Sequence, residues 1–183
     1  DSTLSDCGAG IMFQRSGYSY THSASEFGAD NVTIEGNTFV DGGEIADVWF
    51  YTNSYADDAV VKNNTFSSTA GTYGVRAYDT STKRLSILDN TFDGPESAIQ
   101  LINTDGYVID NNSITGVKDA TKPGITIDGG HGDVTNNTLV DADGGLRIDS
   151  ATAPPAPSTS LCAIGSNSYR SSSTCTFTVP AGA

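Results

Sequence analysis

A short phrase centred on asparagine returns five times along this chain of 183 residues. Its first copy reads Val32-Thr-Ile-Glu-Gly-Asn37-Thr-Phe39, and the asparagine recurs at positions 64, 90, 112 and 137, in steps of 27, 26, 22 and 25 residues. Self-similarity at such a period indicates a solenoid, in which each unit buries its apolar face against its neighbours. This repeat constrains the architecture more strongly than any other feature of the sequence.

Apolar columns accompany the repeated asparagine. An aliphatic residue stands three positions before it and a large apolar residue two positions after it, which predicts one short, half-buried strand per phrase. A second strand with two inward side chains follows in every period. The columns are Ile34, Val61, Ile87, Ile109 and Val134; Phe39, Phe66, Phe92, Ile114 and Leu139; and the second-strand pairs Val48/Phe50, Val75/Ala77, Ile99/Leu101, Ile125/Ile127 and Leu146/Ile148, which Ile11/Phe13 and Phe177/Val179 extend at the two ends.

A sixth copy of the phrase, Cys162-Ala-Ile164-Gly-Ser-Asn167-Ser-Tyr169, keeps both apolar columns. No run in the chain has the i, i+3, i+4, i+7 spacing of an amphipathic helix. A leucine-rich repeat carries a related asparagine phrase, but it needs leucine-dominated positions and a helical or irregular return segment, where this chain has a second strand. We therefore predict an all-β fold, a single-stranded parallel β-helix of about six to seven coils.

The phrase and its period resemble the right-handed parallel β-helix repeats of the pectin-lyase-like superfamily, over roughly residues 2–179. The resemblance implies right-handed coils. It also implies an extracellular or cell-surface protein that handles polysaccharides and that, if it is an enzyme, is a glycoside hydrolase or a polysaccharide lyase. The arginine-proline motif of pectate lyases and the Asp-Pro-His motif of alginate epimerases are absent, so the resemblance specifies the fold and leaves activity open.

The repeated asparagines are expected to be structural. Stacked coils place like residues about 4.8 Å apart, so these side chains should form a ladder at one corner of the coil. Asparagine tolerates a left-handed backbone, and its amide both donates and accepts hydrogen bonds. Formal N-glycosylation sequons arise largely from the same phrase, and their acceptor candidates are Asn31, Asn63, Asn111 and Asn136.

The length predicts a single β-helix domain over residues 1–183. Ser2-Thr3-Leu4 fits the second half of the phrase, so we expect the chain to begin within a strand and to belong to a longer polypeptide or an assembly. The Pro- and Ser-rich stretch 151–160 stands between two rungs and is predicted to be a surface loop. The aromatic stretch Ser16–Asp30 is predicted to be a second excursion, over the coil edge or along a cleft.

Charge bears on the partners of the chain. It carries 22 acidic and 9 basic residues and a net charge of −13, which argues against nucleic acid and anionic membranes. No apolar run is long enough to insert into a membrane. No motif requires a cofactor, although an aspartate-rich surface makes Ca²⁺ a candidate ligand.

The chain has three cysteines. Cys162 and Cys175 flank the last rung, and a disulfide between them would close a short loop worth roughly 3 kcal/mol. Cys162 also occupies an inward strand position, which a reduced core cysteine fits equally well. Cys7 is left over, which suggests a partner outside this sequence.

The outward positions of the second strand form the candidate binding surface. Aromatic faces stack on apolar sugar faces, and planar polar groups make paired hydrogen bonds to hydroxyls or carboxylates. We predict carbohydrate binding by five of these residues, named here the ribbon; the alternative is that loops cover them and that they are ordinary packing. The ribbon comprises Trp49, Tyr51, Arg76, Tyr78 and Gln100.

Asp128 and Asp149 are expected to be neighbours on the same surface, one coil apart. Two carboxylates at about 5 Å can raise each other's pKa, hold Ca²⁺, or act as acid and nucleophile on a glycoside. Arg147 and His131 are near enough in sequence to join them as catalytic candidates. The alternative is a solvated carboxylate pair that Arg147 neutralises.

Three fragments resemble parts of the polygalacturonase site, namely Asn103-Thr-Asp105, Gly130-His131-Gly132 and Arg147-Ile148-Asp149. The resemblance is incomplete, because the paired aspartates of that family are missing from the required coil and Asp149 stands where the family has lysine.

Two hypotheses follow from the sequence. The first is an extracellular β-helix that binds, and in one version cleaves, a polysaccharide along the ribbon. The second is a structural segment of a cell-surface stalk, spike or fibre, in which copies of the chain stack end to end.

Overall fold

The computed structural model describes residues 2–5, 10–13, 30–41, 45–51, 54–68, 73–78, 82–117, 122–140, 142, 145–149 and 174–179. For residues 148–149 and 174–179 it describes the backbone alone. The predicted loop at 151–160, the sixth phrase at 162–169 and nearly all of the stretch 16–30 lie outside these ranges.

The described ranges contain fifteen strands and no helix, so none that could span a membrane. Two strands, β11 and β13, are long because each continues from a second strand into the next phrase without a break. The strands are β1 (Thr3–Ser5), β2 (Ile11–Phe13), β3 (Thr33–Glu35), β4 (Thr38–Val40), β5 (Ala46–Phe50), β6 (Val60–Lys62), β7 (Thr65–Ser67), β8 (Tyr73–Tyr78), β9 (Ser86–Leu88), β10 (Thr91–Asp93), β11 (Ser97–Asp110), β12 (Ser113–Thr115), β13 (Ile125–Val140), β14 (Leu146–Asp149) and β15 (Thr174–Val179).

Each coil contributes three parallel strands instead of the two that the sequence predicts. The phrase divides at its asparagine, so that β3 pairs with β6 while β4 pairs with β7. The residue before the asparagine has a positive φ, for example 53° at Asn63 and 54° at Asn111, which turns the chain at that point. The prediction of one strand per phrase is therefore wrong, and the repeated asparagine lies at a corner between two strands.

The strands stack into three parallel layers around one core. The first layer holds β3, β6, β9, the end of β11 and the middle of β13; the second holds β1, β4, β7, β10, β12 and the end of β13; the third holds β2, β5, β8, the starts of β11 and β13, and β14. Equivalent residues of successive coils pair in register throughout these layers.

The predicted apolar columns form the core. Phe39, Phe66 and Phe92 are buried and stack face to face, with ring centroids 4.8 and 4.6 Å apart and interplanar angles of 4° and 6°. Such small angles mean that successive coils scarcely rotate against one another at this layer. Second-strand residues such as Val75 and Ile99 are fully buried as well, so the predicted inward faces are confirmed.

The asparagine ladder is also confirmed. From Asn64 onward, each ladder side chain accepts, at Oδ1, the backbone N–H and the Nδ2–H of the asparagine one coil earlier, at 2.8–3.3 Å. Its own Nδ2 also donates to backbone carbonyls at the corner, as Asn112 does to Ile87 at 2.9 Å. The ladder consists of Asn37, Asn64, Asn90, Asn112 and Asn137.

The first strand begins at the second half of a phrase, as predicted. Thr3 pairs with Thr38 and Leu4 with Phe39, and the backbone nitrogen of Ser2 donates to Oδ1 of Asn37 at 3.1 Å. Ser2 therefore occupies the position that asparagine holds in the later coils.

The coil count and the last strand differ from the prediction. Five ladder asparagines bound four complete turns in the described residues, with partial turns at either end, instead of six to seven coils. Strand β15 is antiparallel to β13 and pairs Phe177 with Val134 and Cys175 with Asn137. The expectation that Phe177 and Val179 extend the second-strand column is wrong, because β15 pairs with the phrase half of β13. It covers an edge that would otherwise expose unpaired backbone groups.

Candidate functional site

The ribbon lies on the outer face of the third layer. In β8, Val75 and Ala77 point into the core, so the alternation of a strand directs Arg76 and Tyr78 outward. Register then aligns the neighbouring coils, with Trp49 opposite Arg76 and Arg76 opposite Gln100. The predicted outward columns are therefore confirmed, whereas their role in binding stays a prediction.

Three aromatic side chains of the ribbon contact one another. The rings of Trp49 and Tyr51 meet edge to face, with centroids 4.6 Å apart and an interplanar angle of 64°. Tyr51 in turn lies 6.4 Å from Tyr78 at 26°. Tyr78 is 41% exposed and is, with Met12, one of two large hydrophobic side chains that the described residues expose. The ribbon thus presents a connected aromatic surface across two coils.

Arg76 joins this aromatic surface through its guanidinium. The guanidinium carbon lies 5.1 Å from the ring centroid of Tyr78 and 4.8 Å from that of Tyr73. Tyr73 was missed by the sequence reasoning, because strict alternation from Val75 would place it inside the coil. Arg76 forms no ion pair with any residue whose placement the structure describes, so its charge is not compensated by a carboxylate there.

Three polar atoms of the ribbon have no hydrogen-bond partner among the residues that the structure describes. They are Nε1 of Trp49, Nε of Arg76 and Oε1 of Gln100, each buried although the side chains are partly exposed. Buried polar atoms in folded proteins are nearly always paired with protein or with ordered water. These three atoms sit on successive coils in one register column, and Oγ1 of Thr104 and the hydroxyl of Tyr107 are unpartnered elsewhere among the described residues.

The predicted acidic pair is aligned in the backbone. Asp128 pairs with Asp149 between β13 and β14, and Thr126 pairs with Arg147 beside them. Asp128 and Arg147 are exposed. The side chain of Asp149 lies outside the described part of the structure, so the separation of the two carboxylates stays a prediction.

His131 lies beyond a sharp turn from Asp128. Gly129 and Gly130 have φ of 75° and 81°, and a Cβ on Gly130 would overlap the carbonyl oxygen of Thr104. Asp105 is the register partner of His131 on the preceding coil, and Nδ1 of His131 lies 3.0 Å from Oδ1 of Asp105. The structure therefore unites His131 with Asp105, a pairing that the sequence reasoning did not propose.

Metal binding is not supported by any described cluster. No group of three or more histidine, cysteine, aspartate or glutamate side chains in the described ranges is arranged to hold a metal ion. Asp57 and Asp58 lie together, but both pair with Arg84, at 3.2 and 2.6 Å. Binding of Ca²⁺ therefore stays a prediction without a named site.

The sequon asparagines are exposed corner residues. All four have positive φ, between 53° and 59°. Asn63, Asn111 and Asn136 precede ladder asparagines, a position that Gly36 and Asp89 fill in other coils, whereas Asn31 lies at a different corner, before β3. Nδ2 of Asn111 donates to Asp89 at 2.6 Å and Nδ2 of Asn136 donates to Asp110 at 2.9 Å. Backbone geometry thus accounts for asparagine here, and glycosylation at Asn31, Asn63, Asn111 or Asn136 stays a prediction.

The cysteine prediction falls outside the described side chains. Cys162 and Cys7 are not among the described residues, and of Cys175 only the backbone pairing in β15 is described. The disulfide between Cys162 and Cys175 is therefore still a prediction.

Three parallel layers, a corner ladder and stacked inward columns define a parallel β-helix. Residues 1–114 match the family model described as "Right handed beta helix region", and the chain belongs to that family. The coils are accordingly right-handed, which is consistent with the pectin-lyase-like superfamily. No curated protein and no solved structure matches the chain.

Proposed function

We propose that this β-helix domain binds a polysaccharide along the ribbon, outside the cell or at its surface. The observation that carries the proposal is the connected surface of Trp49, Tyr51 and Tyr78, with the guanidinium of Arg76 beside it forming no ion pair to any described residue. Aromatic rings supply faces for sugar rings, and the guanidinium supplies donors for hydroxyl or carboxylate oxygens.

The unpartnered polar atoms support the same proposal. Nε1 of Trp49, Nε of Arg76 and Oε1 of Gln100 follow one another on three coils about 4.8 Å apart. A glycan chain laid across the coils would offer hydroxyl groups at intervals along this column. Small rotamer changes of partly exposed side chains, which are common on binding, would bring the atoms into contact with a ligand or with ordered water.

Glycan retardation in native gels and titration calorimetry test the proposal. We expect polygalacturonate, alginate or a neutral galactomannan to bind the wild-type protein, and Trp49→Ala and Arg76→Ala each to weaken binding at least about tenfold. Thr65→Ala is the matched control, since Thr65 is exposed on the second layer, away from the ribbon. Equal affinity of Trp49→Ala, Arg76→Ala and wild type would refute binding through the ribbon.

If the bound glycan is also cleaved, Asp128 and Asp149 are the candidate acid and nucleophile. Their backbones pair in register beside Arg147 on the same outer face, and His131 with Asp105 is the next acid–base group along β13. Asp128→Asn should then abolish release of reducing ends while leaving glycan binding intact. Activity that persists in both Asp128→Asn and Asp149→Asn would exclude this pair.

Edge strands favour a second candidate, a structural segment of a stalk, spike or fibre. In the described residues β1, β2 and β3 each pair with a single neighbour, so all three layers present an open edge at the same end. Parallel edges of this kind can accept another copy end to end. Sedimentation velocity and electron microscopy would reveal concentration-dependent filaments, and a protein that stays monomeric at high concentration contradicts this candidate.

A further inference from the structure

Tyr73 is not part of the ribbon, but its ring contacts the ribbon residue Arg76, which the sequence did not predict. Its ring centroid lies 4.8 Å from the guanidinium carbon of Arg76, closer than that of Tyr78 at 5.1 Å. Its register neighbours Ala46 and Ser97 are buried, so Tyr73 does not belong to the outward column of the strand. Its ring nevertheless meets a side chain of that column.

An interruption of the inside–outside alternation at Gly74 accounts for this placement. A Cβ at Gly74 would overlap the ring of Phe92 and approach the carbonyl oxygen of Ala98, so this position faces the core. Gly74 and Val75 are buried in succession, which breaks the alternation at the start of β8. Tyr73 is left half-buried at the corner, from where its ring reaches Arg76.

Few other contacts with the described residues fix the position of the Arg76 side chain. Its Nε has no hydrogen-bond partner, and its described contacts with aromatic rings are those with Tyr73 and Tyr78. A free arginine side chain samples many rotamers, and a ligand that binds it must offset the loss of that freedom. A ring that holds the guanidinium beforehand reduces this loss.

We propose that Tyr73 is a positioning residue, which orients the guanidinium of Arg76 for the ligand without contacting the ligand itself. This inference rests on the proposed function, because Arg76 is taken to bind the glycan. The phenol ring, and not its hydroxyl, does the positioning. The effect of Tyr73 on binding therefore passes through Arg76.

A double-mutant cycle tests this dependence. Tyr73→Leu should raise the Kd for polygalacturonate, alginate or galactomannan roughly three- to tenfold, whereas Tyr73→Phe should retain wild-type affinity. In an Arg76→Gln background, Tyr73→Leu should have no further effect. Thermal unfolding of each variant monitors the fold, and Thr65→Ala again serves as the surface control.

Several outcomes would overturn the inference. An equal loss from Tyr73→Leu in both backgrounds would mean that Tyr73 contacts the ligand directly. A loss in Tyr73→Phe as large as in Tyr73→Leu would assign the effect to the hydroxyl. Unchanged affinity of Tyr73→Leu beside weakened Arg76→Gln would show that Arg76 needs no positioning.

A measurement without ligand separates this inference from the proposed function. The Nε–Hε resonance of Arg76, assigned by its absence in Arg76→Lys, should carry an upfield ring-current shift in wild type and in Tyr73→Phe. Tyr73→Leu should remove the part of that shift due to Tyr73 and leave the part due to Tyr78. If wild type binds none of the three polysaccharides, the proposed function fails, while this shift still decides whether Tyr73 holds the guanidinium of Arg76. An identical resonance in wild type and Tyr73→Leu would refute the inference.

Discussion

Oδ1 of Asn112 accepts two hydrogen bonds from Asn90, one from its backbone nitrogen and one from Nδ2, both at 3.0 Å. Oδ1 of Asn64, Asn90 and Asn137 accepts the same pair of hydrogen bonds from the asparagine one coil earlier. The side chain of Asn112 thus accepts the hydrogen bonds of donors at the corner of the preceding coil. Its own Nδ2 donates to Oδ1 of Asn137 in the following coil at 2.8 Å. Coil-to-coil cohesion at this corner is therefore polar and buried, in contrast to the ring stack of the core.

Asn112→Ala should lower the free energy of unfolding by about 3 kcal/mol. It leaves buried donors of Asn90 and the carbonyl of Ile87 without partners, and each such group costs on the order of 1–3 kcal/mol. Asn37→Ala, at the partly exposed end of the ladder, should cost only about 1 kcal/mol. Urea denaturation of both variants measures the difference. Equal losses would show that the ladder does not act through buried hydrogen bonds.

Phe66→Ala should destabilise the protein by about 3–5 kcal/mol, because it opens a cavity between Phe39 and Phe92. Phe66→Leu keeps most of the volume and should cost roughly 1.5 kcal/mol or less. The measurement is the midpoint of urea denaturation for each variant, compared at an unchanged m-value. A Phe66→Ala variant that is as stable as Phe66→Leu would mean that the stacked rings contribute little.

Arg84→Gln should raise the pKa of Asp58. The hydrogen bond from Arg84, at 2.6 Å to Oδ1, and its charge together hold the pKa of that carboxyl below its ordinary 3.8. Because the pKa is lower in the folded state, the pair stabilises the fold above about pH 4 and loses this contribution as the pH falls through the folded-state pKa.

An NMR titration of the Asp58 carboxyl measures its pKa directly. The free energy of unfolding should also fall less steeply with decreasing pH in Arg84→Gln than in wild type. Lys62→Gln is the control, since it breaks an exposed ion pair with Glu35. An Asp58 pKa that does not move in Arg84→Gln would contradict the assignment.

Tyr107→Phe should leave the protein as stable or stabilise it by up to about 1 kcal/mol at neutral pH, because the buried hydroxyl has no hydrogen-bond partner. Burial raises the pKa of Tyr107, and the charges of Asp133 and Asp105 add to this. A raised folded-state pKa means stability that is present below about pH 10 and is lost as the pH rises above it.

Absorbance titration of the phenolates tests this behaviour. Wild type should show a late-ionising tyrosine that Tyr107→Phe lacks, and the variant should resist alkaline unfolding better. A marked loss of stability in Tyr107→Phe would show that the hydroxyl is partnered after all.

The sequence was sufficient to predict the parts of the fold that repeat. Phe39, Phe66 and Phe92 stand at a fixed offset from an asparagine, and in a solenoid equal offsets mean contact between coils. The ribbon followed from the same argument, because Trp49, Arg76 and Gln100 share one register.

Features that occur once were not predictable in this way. The antiparallel course of β15 depends on a chain reversal that no repeat specifies. The pairing of His131 with Asp105 was hidden by the register shift that follows it, because the two residues stand at different offsets from their ladder asparagines. Tyr73 was missed because Gly74 and Val75 are buried in succession, which interrupts the alternation from which the outward residues were predicted.

Trp49 is the only tryptophan of the chain, so its intrinsic fluorescence reports on the ribbon alone. Titration with polygalacturonate, alginate and galactomannan, followed by emission, is the most direct test of glycan binding at this surface. The account predicts a saturable change in intensity and wavelength with at least one of them, weakened in Arg76→Ala. Emission that none of these polysaccharides alters would contradict it.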